Sequence, residues 1–406
     1  MIDRNALEIV LQMGGEMFGR TVFGTEHLTP EIPKLSNEIA SEPTQLDNAE
    51  LSLLSDLLFE AVTDSMSAFE NKKIGLALSG GVDSSLLLYL LRQCCKNADV
   101  VAYHSDWNYP PKSELEFAKL AAEFTDVPLK IVDVSPDKQI PHLDEALSRT
   151  KTISYTTVPV YMVFKKMADD GIDVAVNALG LDELFAGYTF HRSYYERRRF
   201  RFVPYSAFLL KYRIVQAAAR RYGSDKAWFL AHVAPHYATR LVKDSHVDIA
   251  RLYEENLKAS TMWTSMHNFL LDAMAYNWGN LIARPAHANG LEIIFPYLHN
   301  GLISKCLEYH PLAKINKAPV RELMRSRYNF PEEIARRGET WDKVGWGGTG
   351  TPYFQDASYM QAIDPDPTVA KEWFTDHGVR KLSELPTKPT VLALKMALFL
   401  RTAEIV

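Results

Sequence analysis

An apolar run, Ile74–Leu78, passes without a break into Ser79-Gly80-Gly81-Val82-Asp83-Ser84-Ser85 and then into a leucine-rich segment of helical spacing. A short buried strand that delivers two glycines to a helix start lets backbone N–H groups close on an anion, because neither glycine carries a Cβ. The serine hydroxyls and the helix N-terminus add donors and positive potential, so the string reads as a phosphate cradle. It lacks the lysine of a Gly-x-x-x-x-Gly-Lys-Ser/Thr loop, which separates it from the kinase and GTPase type. Asp83 instead brings a carboxylate to the cradle, where a Mg²⁺ ion bridging phosphates would be held. The candidate nucleotide contacts are therefore Ser79, Gly80, Gly81, Asp83, Ser84 and Ser85.

Around this string, strand and helix patterns alternate. An amphipathic helix spans Leu51–Phe69. After it come strands at Ile74–Leu78, Val100–His104, Leu129–Val134 and Val174–Ala178, separated by helices at Ser84–Cys94, Ser113–Phe124 and Val158–Met167. Apolar strands without two-residue alternation imply a parallel sheet covered on both faces, an α/β fold. Ligand chemistry in such a sheet belongs at the carboxyl ends of the strands, after Leu78, His104 and Ala178. Residues 1–48 carry prolines and little periodicity and read as an extension that caps the body; 49–200 form the α/β core; 201–406 are mostly helical, with long segments at Tyr205–Arg221 and Met262–Ala283. With 406 residues, about two such units are expected.

A net charge of −5 gives no general attraction to nucleic acid or anionic lipid. The run Arg197, Arg198, Arg199, Arg201 reads as a solvated helix face. Cys94, Cys95 and Cys306 show no metal-ligand spacing and read as reduced and structural. No stretch has the length and apolarity of a membrane span or the pattern of a signal peptide, so a cytoplasmic protein is expected.

The loop resembles the Ser-Gly-Gly-x-Asp-Ser signature of the ATP-pyrophosphatase (PP-loop) superfamily, which implies an adenine-nucleotide α-hydrolase-like core and cleavage of ATP between its α and β phosphates. A second string, Ala178-Leu179-Gly180-Leu181-Asp182-Glu183-Leu184-Phe185-Ala186-Gly187-Tyr188, follows the strand ending at Ala178 and places Asp182 as a second Mg²⁺ ligand, with Gly180 beside the nucleotide. Together the strings resemble the synthetase domain of asparagine synthetases and β-lactam synthetases. Thr157-Val158-Pro159-Val160-Tyr161, the block from Arg284 through Gly290 to Leu298, and Lys317-Ala318-Pro319-Val320-Arg321 are similar, in the same order, to further motifs of that family. The resemblance implies that a carboxylate is activated as an acyl-adenylate and transferred to an amine. Lys343, which leads Lys343-Val344-Gly345, is similar to the family's essential lysine and is assigned to the charge that develops at the α-phosphate and acyl carbon. Arg284 is assigned to phosphate or carboxylate, Glu292 to the nucleophile or to structural pairing, and Ser105, at the end of the second strand, to the adenine side.

Several positions depart from that pattern. Leu179 stands where the family has a glutamate or a tyrosine, so a group that could move a proton is absent there. Ile294 and His299 stand where an arginine and an aspartate are expected, which weakens the case for aspartate as the acid. No cysteine precedes Cys94, so nitrogen is expected from free ammonia, another amine or a separate amine-supplying protein. The partners implied are a small carboxylic acid and an amine, and a homo-oligomer stays open. Three other readings remain: an ammonia-dependent asparagine synthetase or lactam-forming enzyme, a tRNA-modifying PP-loop enzyme, and an inactive scaffold.

Overall fold

The computed structural model describes residues 2–13, 17, 20–25, 28, 46–108, 114–188, 191, 240–256, 262–271, 275–339, 353, 355–385 and 390–406. Its centre is a sheet of five strands: β1 (Lys73–Ala77), β2 (Asp99–Asp106), β3 (Leu129–Asp133), β4 (Val174–Val176) and β5 (Glu292–Ile294). They lie in the order β3-β2-β1-β4-β5 and every pair is parallel. Ile74, Leu76, Val174, Ala175 and Val176 are wholly buried, as the apolar runs without alternation require.

Helices cover both faces. On one side lie α2 (Asn48–Met66), α3 (Val82–Cys94) and α4 (Leu115–Thr125). On the other lie α5 (Leu143–Thr150), α6 (Thr157–Asp169), α8 (Ala275–Ala288) and α10 (Val391–Ile405), packed on one another and, through α6 and α8, on the sheet. The chain runs outward from β1 to β3, then returns to β4 on the far side of β1. Right-handed crossovers place the two sets of helices on opposite faces. Strand order reverses between β1 and β4, the point where the carboxyl edge of such a sheet opens into a crevice. α6 packs closely over Gly75: a Cβ there would meet Met167 Sδ of α6 and Ile172 Cγ2 just beyond it at 3.1 Å each.

The strand and helix pattern expected over residues 51–178 is present with ends shifted by a few residues. α2 closes in a 3₁₀ turn at Ser67–Phe69, and the fourth strand stops at Val176. Within the expected helix Met262–Ala283, helix is described at Met262–Phe269 and from Ala275 in α8, and residues 272–274 lie outside the described residues. Tyr205–Arg221 and Arg197–Arg201 lie outside the described residues. A boundary at residue 200 divides the sheet, since β5 comes from the region read as mostly helical. Three residues carry too little periodicity to announce a strand.

The N-terminal extension is stitched to the far end of the chain. α1 (Arg4–Met13) buries Glu8, whose carboxylate accepts hydrogen bonds from the backbone N–H groups of Leu241 at 3.0 Å and Val242 at 2.6 Å. Arg4 lies 4.5 Å over the Trp373 ring, and Phe23 stacks on Phe399. A buried carboxylate is tolerated because charge-assisted donors meet it.

Candidate active site

The string Ser79–Ser85 turns from β1 into α3 as a compact cradle. Gly80 sits at φ +73°, and a Cβ there would lie 2.4 Å from Ala118 N, so only glycine lets the loop rest against the start of α4. Ser79 Oγ and Ser84 Oγ lie 3.0 Å apart, Ser79 N donates to Ser84 Oγ at 3.2 Å, and Gly81 N donates to Ser79 Oγ at 3.2 Å. These hydroxyls hold the loop in shape and keep donors at the helix start. Ser85 is fully buried in the first turn of α3, and its hydroxyl makes no hydrogen bond among the described residues.

Asp83, in the first turn of α3, and Asp182, in the first turn of α7 (Leu181–Leu184), follow the adjacent strands β1 and β4. Between them lies Lys317. Its Nζ donates to both carboxylate oxygens of Asp83 at 2.6 Å and stands 2.5 Å from Asp182 Oδ1. The lysine side chain is 5% exposed, so the ammonium, removed from water, is compensated by two carboxylates at once. Lys317 precedes α9 (Ala318–Ser326), and its backbone is left-handed, as are Asn316 and Ala186. Asn316 N donates to Ala186 O at 3.1 Å and Lys317 N to Phe185 O at 3.0 Å, which docks the lysine segment on the turn after α7. Gly187 completes this fit, since a Cβ there would fall 2.0 Å from Asp182 Oδ1 and 2.5 Å from Lys317 Cε. Left-handed non-glycine residues gathered beside two acids are local strain held by the surrounding fold, as is common at functional sites.

Behind Asp182, Glu183 is buried and accepts a hydrogen bond from the Tyr188 hydroxyl. Burial first, and then the neighbouring Asp182 charge, push the Glu183 carboxyl up to about 7. The loop after β5 braces the cradle from the opposite side. Tyr297 OH donates to Asp83 O at 3.0 Å, and Gly180, at φ +114°, packs so closely that a Cβ would meet Leu298 Cδ2 at 2.8 Å. Arg337 reaches the loop as well: it donates to Gly80 O at 3.0 Å and to Glu114 Oε1 at 2.7 Å, and lies 4.0 Å over the Phe117 ring.

The arrangement suits a magnesium-bound polyphosphate. Two hard carboxylates now gathered on one ammonium are the protein ligands such an ion accepts, with phosphate oxygens and water completing its shell. The cradle's amides and hydroxyls lie next to them. Ser105 stands at the carboxyl end of β2, beside β1, in register with Val132.

Other sequence assignments fare differently. Glu292 begins β5 in register with Val174, at the amino edge of the sheet, and is exposed. The cradle grows from the carboxyl edge of β1, which puts Glu292 at the wrong end to act on a nucleophile there. Arg284 is 5% exposed, on α8, on the face of the sheet covered by α6. Lys343 lies outside the described residues. Lys317 and Arg337, which reach the two acids and the loop, were not among the expected site residues. The signal for Lys317 was present, because a cation at the start of a helix opposes the helix dipole and needs an anionic partner nearby. Nothing local marks Arg337, whose partners are 257 and 223 residues away in sequence.

The chain matches known proteins over most of its length. Residues 53–388 match the family described as asparagine synthase. A provisionally named glutamine-hydrolyzing asparagine synthetase from Methanocaldococcus jannaschii is 26% identical over 283 residues, which is 68% of this chain and 46% of that protein. The chain thus spans about half the length of this relative. Among solved structures, an NH3-dependent NAD synthetase from Campylobacter jejuni overlaps 35% of this chain and 61% of its own, at 18% identity and a TM-score of 0.26. By the extent of the family match, this chain belongs to the asparagine synthase family.

Proposed function

We propose that this chain is an ATP-dependent, AMP-forming carbon–nitrogen ligase that adenylates a carboxylic acid and passes the acyl group to an amine. The observation that carries the reading is the Asp83–Lys317–Asp182 bridge beside a two-glycine loop at the point where strand order reverses. A carboxylate oxygen attacks the α-phosphorus, the bond from that phosphorus to the bridging oxygen breaks, and pyrophosphate leaves with the electron pair. The amides of Gly80 and Gly81, the hydroxyls of Ser79 and Ser84, and the start of α3 hold the departing oxygens. Lys317 exchanges its contact with the acids for one with phosphate. Asp83 and Asp182 would hold Mg²⁺, which would supply charge neutralisation on the phosphates.

In the second half-reaction the amine nitrogen attacks the acyl carbon and AMP departs with the C–O electron pair. Lys343 is assigned to that developing charge. Leu179 cannot accept the proton the amine loses, which favours a nucleophile already unprotonated at neutral pH, such as a hydroxylamine-like or hydrazine-like amine. Incubating the protein with Mg-ATP, a panel of acids and hydroxylamine, and separating the nucleotides, tests this. AMP with a hydroxamate is the expected result. Release of ADP and orthophosphate would overturn the reaction class, and turnover confined to aspartate with ammonia would overturn the choice of nucleophile.

A further inference from the structure

We infer that this enzyme takes a compact apolar acid, branched or cyclic and without a second charged group, whose acyl chain sits in a cavity beneath α6 and α8; the inference rests on the ligase reading above. The cavity lies at the carboxyl ends of β1 and β4, where strand order reverses, and encloses about 120 Å³. Ala77 forms its floor two residues before the cradle. Val160, Val163 and Phe164 of α6 and Leu281 and Ile282 of α8 form its walls. Strand alternation explains the position: Gly75 meets α6 directly, so Ala77, two residues on, turns its small side chain to the same face and leaves a hollow.

The polar groups decide what the hollow accepts. Trp278 Nε1 is buried without a hydrogen-bond partner among the described residues. Asn177 spends its Oδ1 on Leu179 N at 3.0 Å, which leaves the two amide donors of Nδ2 for an occupant. Thr156 Oγ1 is engaged by Ser154 Oγ at 2.8 Å. The cavity thus offers donors in an apolar wall and suits an occupant that brings acceptors, as a carboxyl group does. Adenine's exocyclic amine would need an acceptor, and it would share Asn177 Oδ1 with Leu179 N and Thr156 Oγ1 with Ser154. None of the nine lining residues is charged. An aspartate-like acid would bury an ammonium and a second carboxylate with no counter-charge there, the costliest kind of burial. Size limits the choice further, since a dry cavity of roughly 150 Å³ is what a benzene ring fills.

The chain has seven tryptophans, so binding at this one is read as the fluorescence change of the wild type that Trp278→Phe lacks. Titrating the full-length protein with 4-methylpentanoate, benzoate, aspartate and adenosine, without nucleotide, is expected to give a saturable Trp278-dependent change with the two apolar acids. Aspartate should need roughly tenfold more or worse, one decade for each increment of binding free energy lost to its unpaired charges. Trp278→Phe keeps an aromatic wall and loses a donor, so the apolar acids should bind about three- to tenfold more weakly to it by equilibrium dialysis. Val163→Phe fills the hollow and should abolish their binding while ATP binding persists. Equal binding of aspartate, or a Trp278-dependent signal from adenosine, overturns the inference. AMP release after Mg-ATP and hydroxylamine are added to the same acids separates the two claims. Apolar-acid binding without AMP keeps the cavity and sinks the ligase reading; AMP formed at least as fast with aspartate keeps the ligase and sinks the cavity assignment.

Discussion

The two sides of the crevice between β1 and β4 are built from opposite materials. The phosphate side is a dense set of charges, with Asp83, Asp182 and Lys317 locked by hydrogen bonds of 2.5–2.6 Å and braced by Gly187, Tyr297 and Arg337. The acid side is aliphatic and aromatic, with the indole N–H of Trp278 and the amide of Asn177 as donors. A nucleotide presents the same charges whatever reaction follows, so the first side is fixed by phosphate chemistry. The second must distinguish one acid from another, and it does so by shape and by what it declines to neutralise.

That contrast breaks most sharply at the acids. Asp182→Asn, and separately Lys343→Ala, are expected to lower AMP formation by roughly two to three orders of magnitude, the usual loss for a principal electrostatic group. The ligand-free fold should respond differently. Replacing Lys317 with methionine leaves two carboxylates facing each other and should destabilise the protein by about 2 kcal/mol, below the roughly 3–5 kcal/mol of a fully buried broken pair because Asp182 is partly exposed. Urea midpoints check the second effect and nucleotide chromatography the first. Normal turnover in the Asp182 variant would show that the acids are only the lysine's structural partners.

Gly187→Ala probes the same side without touching a charge. The added Cβ would stand 2.0 Å from Asp182 Oδ1, so the carboxylate must swing away from Lys317. Turnover should fall by roughly ten- to a hundredfold, the upper figure being what about an ångström of misplacement costs elsewhere, with a smaller change in stability. A variant with unchanged activity would mean that the turn yields by moving backbone and that Asp182 is less rigidly placed than its contacts indicate.

Much of the charged side was legible in the sequence, because phosphate chemistry uses short contiguous strings. Ser79–Ser85 and Gly180–Asp182 each announce a strand end, a glycine and an acid within a few residues. The acid side was not legible. Ala77, Val160, Trp278 and Leu281 look like ordinary core residues, and only the fold shows that β1, β4, α6 and α8 leave a hollow among them. The bracing contacts were hidden for the same reason: Arg337 and Tyr297 reach the cradle across more than 200 residues. A three-residue β5 gave no periodic signal, and the misreading of Glu292 followed directly from missing it.

The amino edge of the sheet provides a control region where ionisation should affect folding alone. Asp170 accepts from Tyr103 OH at 2.9 Å and pairs with Lys130 at 2.8 Å and Lys166 at 2.6 Å. Desolvation acts to raise its pKa, but the hydrogen bonds from Lys130, Lys166 and Tyr103 outweigh it and hold the carboxyl well below the usual range. A depressed folded-state pKa contributes stability that is fully present above the unfolded value near 4 and is lost as pH falls through the folded one. Asp170→Asn should therefore be less stable than wild type at pH 6, and the gap in urea midpoint should shrink steadily below about pH 4. AMP formation at pH 7 should not change. A gap independent of pH would assign the loss to packing instead of charge.

The smallest expected effect settles the polarity of the sheet. Parallel pairing in register from Val174↔Glu292 to Val176↔Ile294 means that β5 enters at the edge where β1 begins and points its far end toward the crevice. Glu292 is exposed there, five residues of strand and loop behind the cradle as measured along β1 from Ile74 to Ser79, on the order of 16 Å at about 3.3 Å per residue. No carboxylate spans that distance to an acyl-adenylate. Glu292→Gln should leave the rate of AMP formation within about twofold and stability within about 0.5 kcal/mol, the ordinary range for surface changes. A loss of tenfold or more in steady-state turnover, with the urea midpoint unmoved, would mean that the amine approaches from the amino edge, and the crevice between β1 and β4 would then hold only half of the reaction.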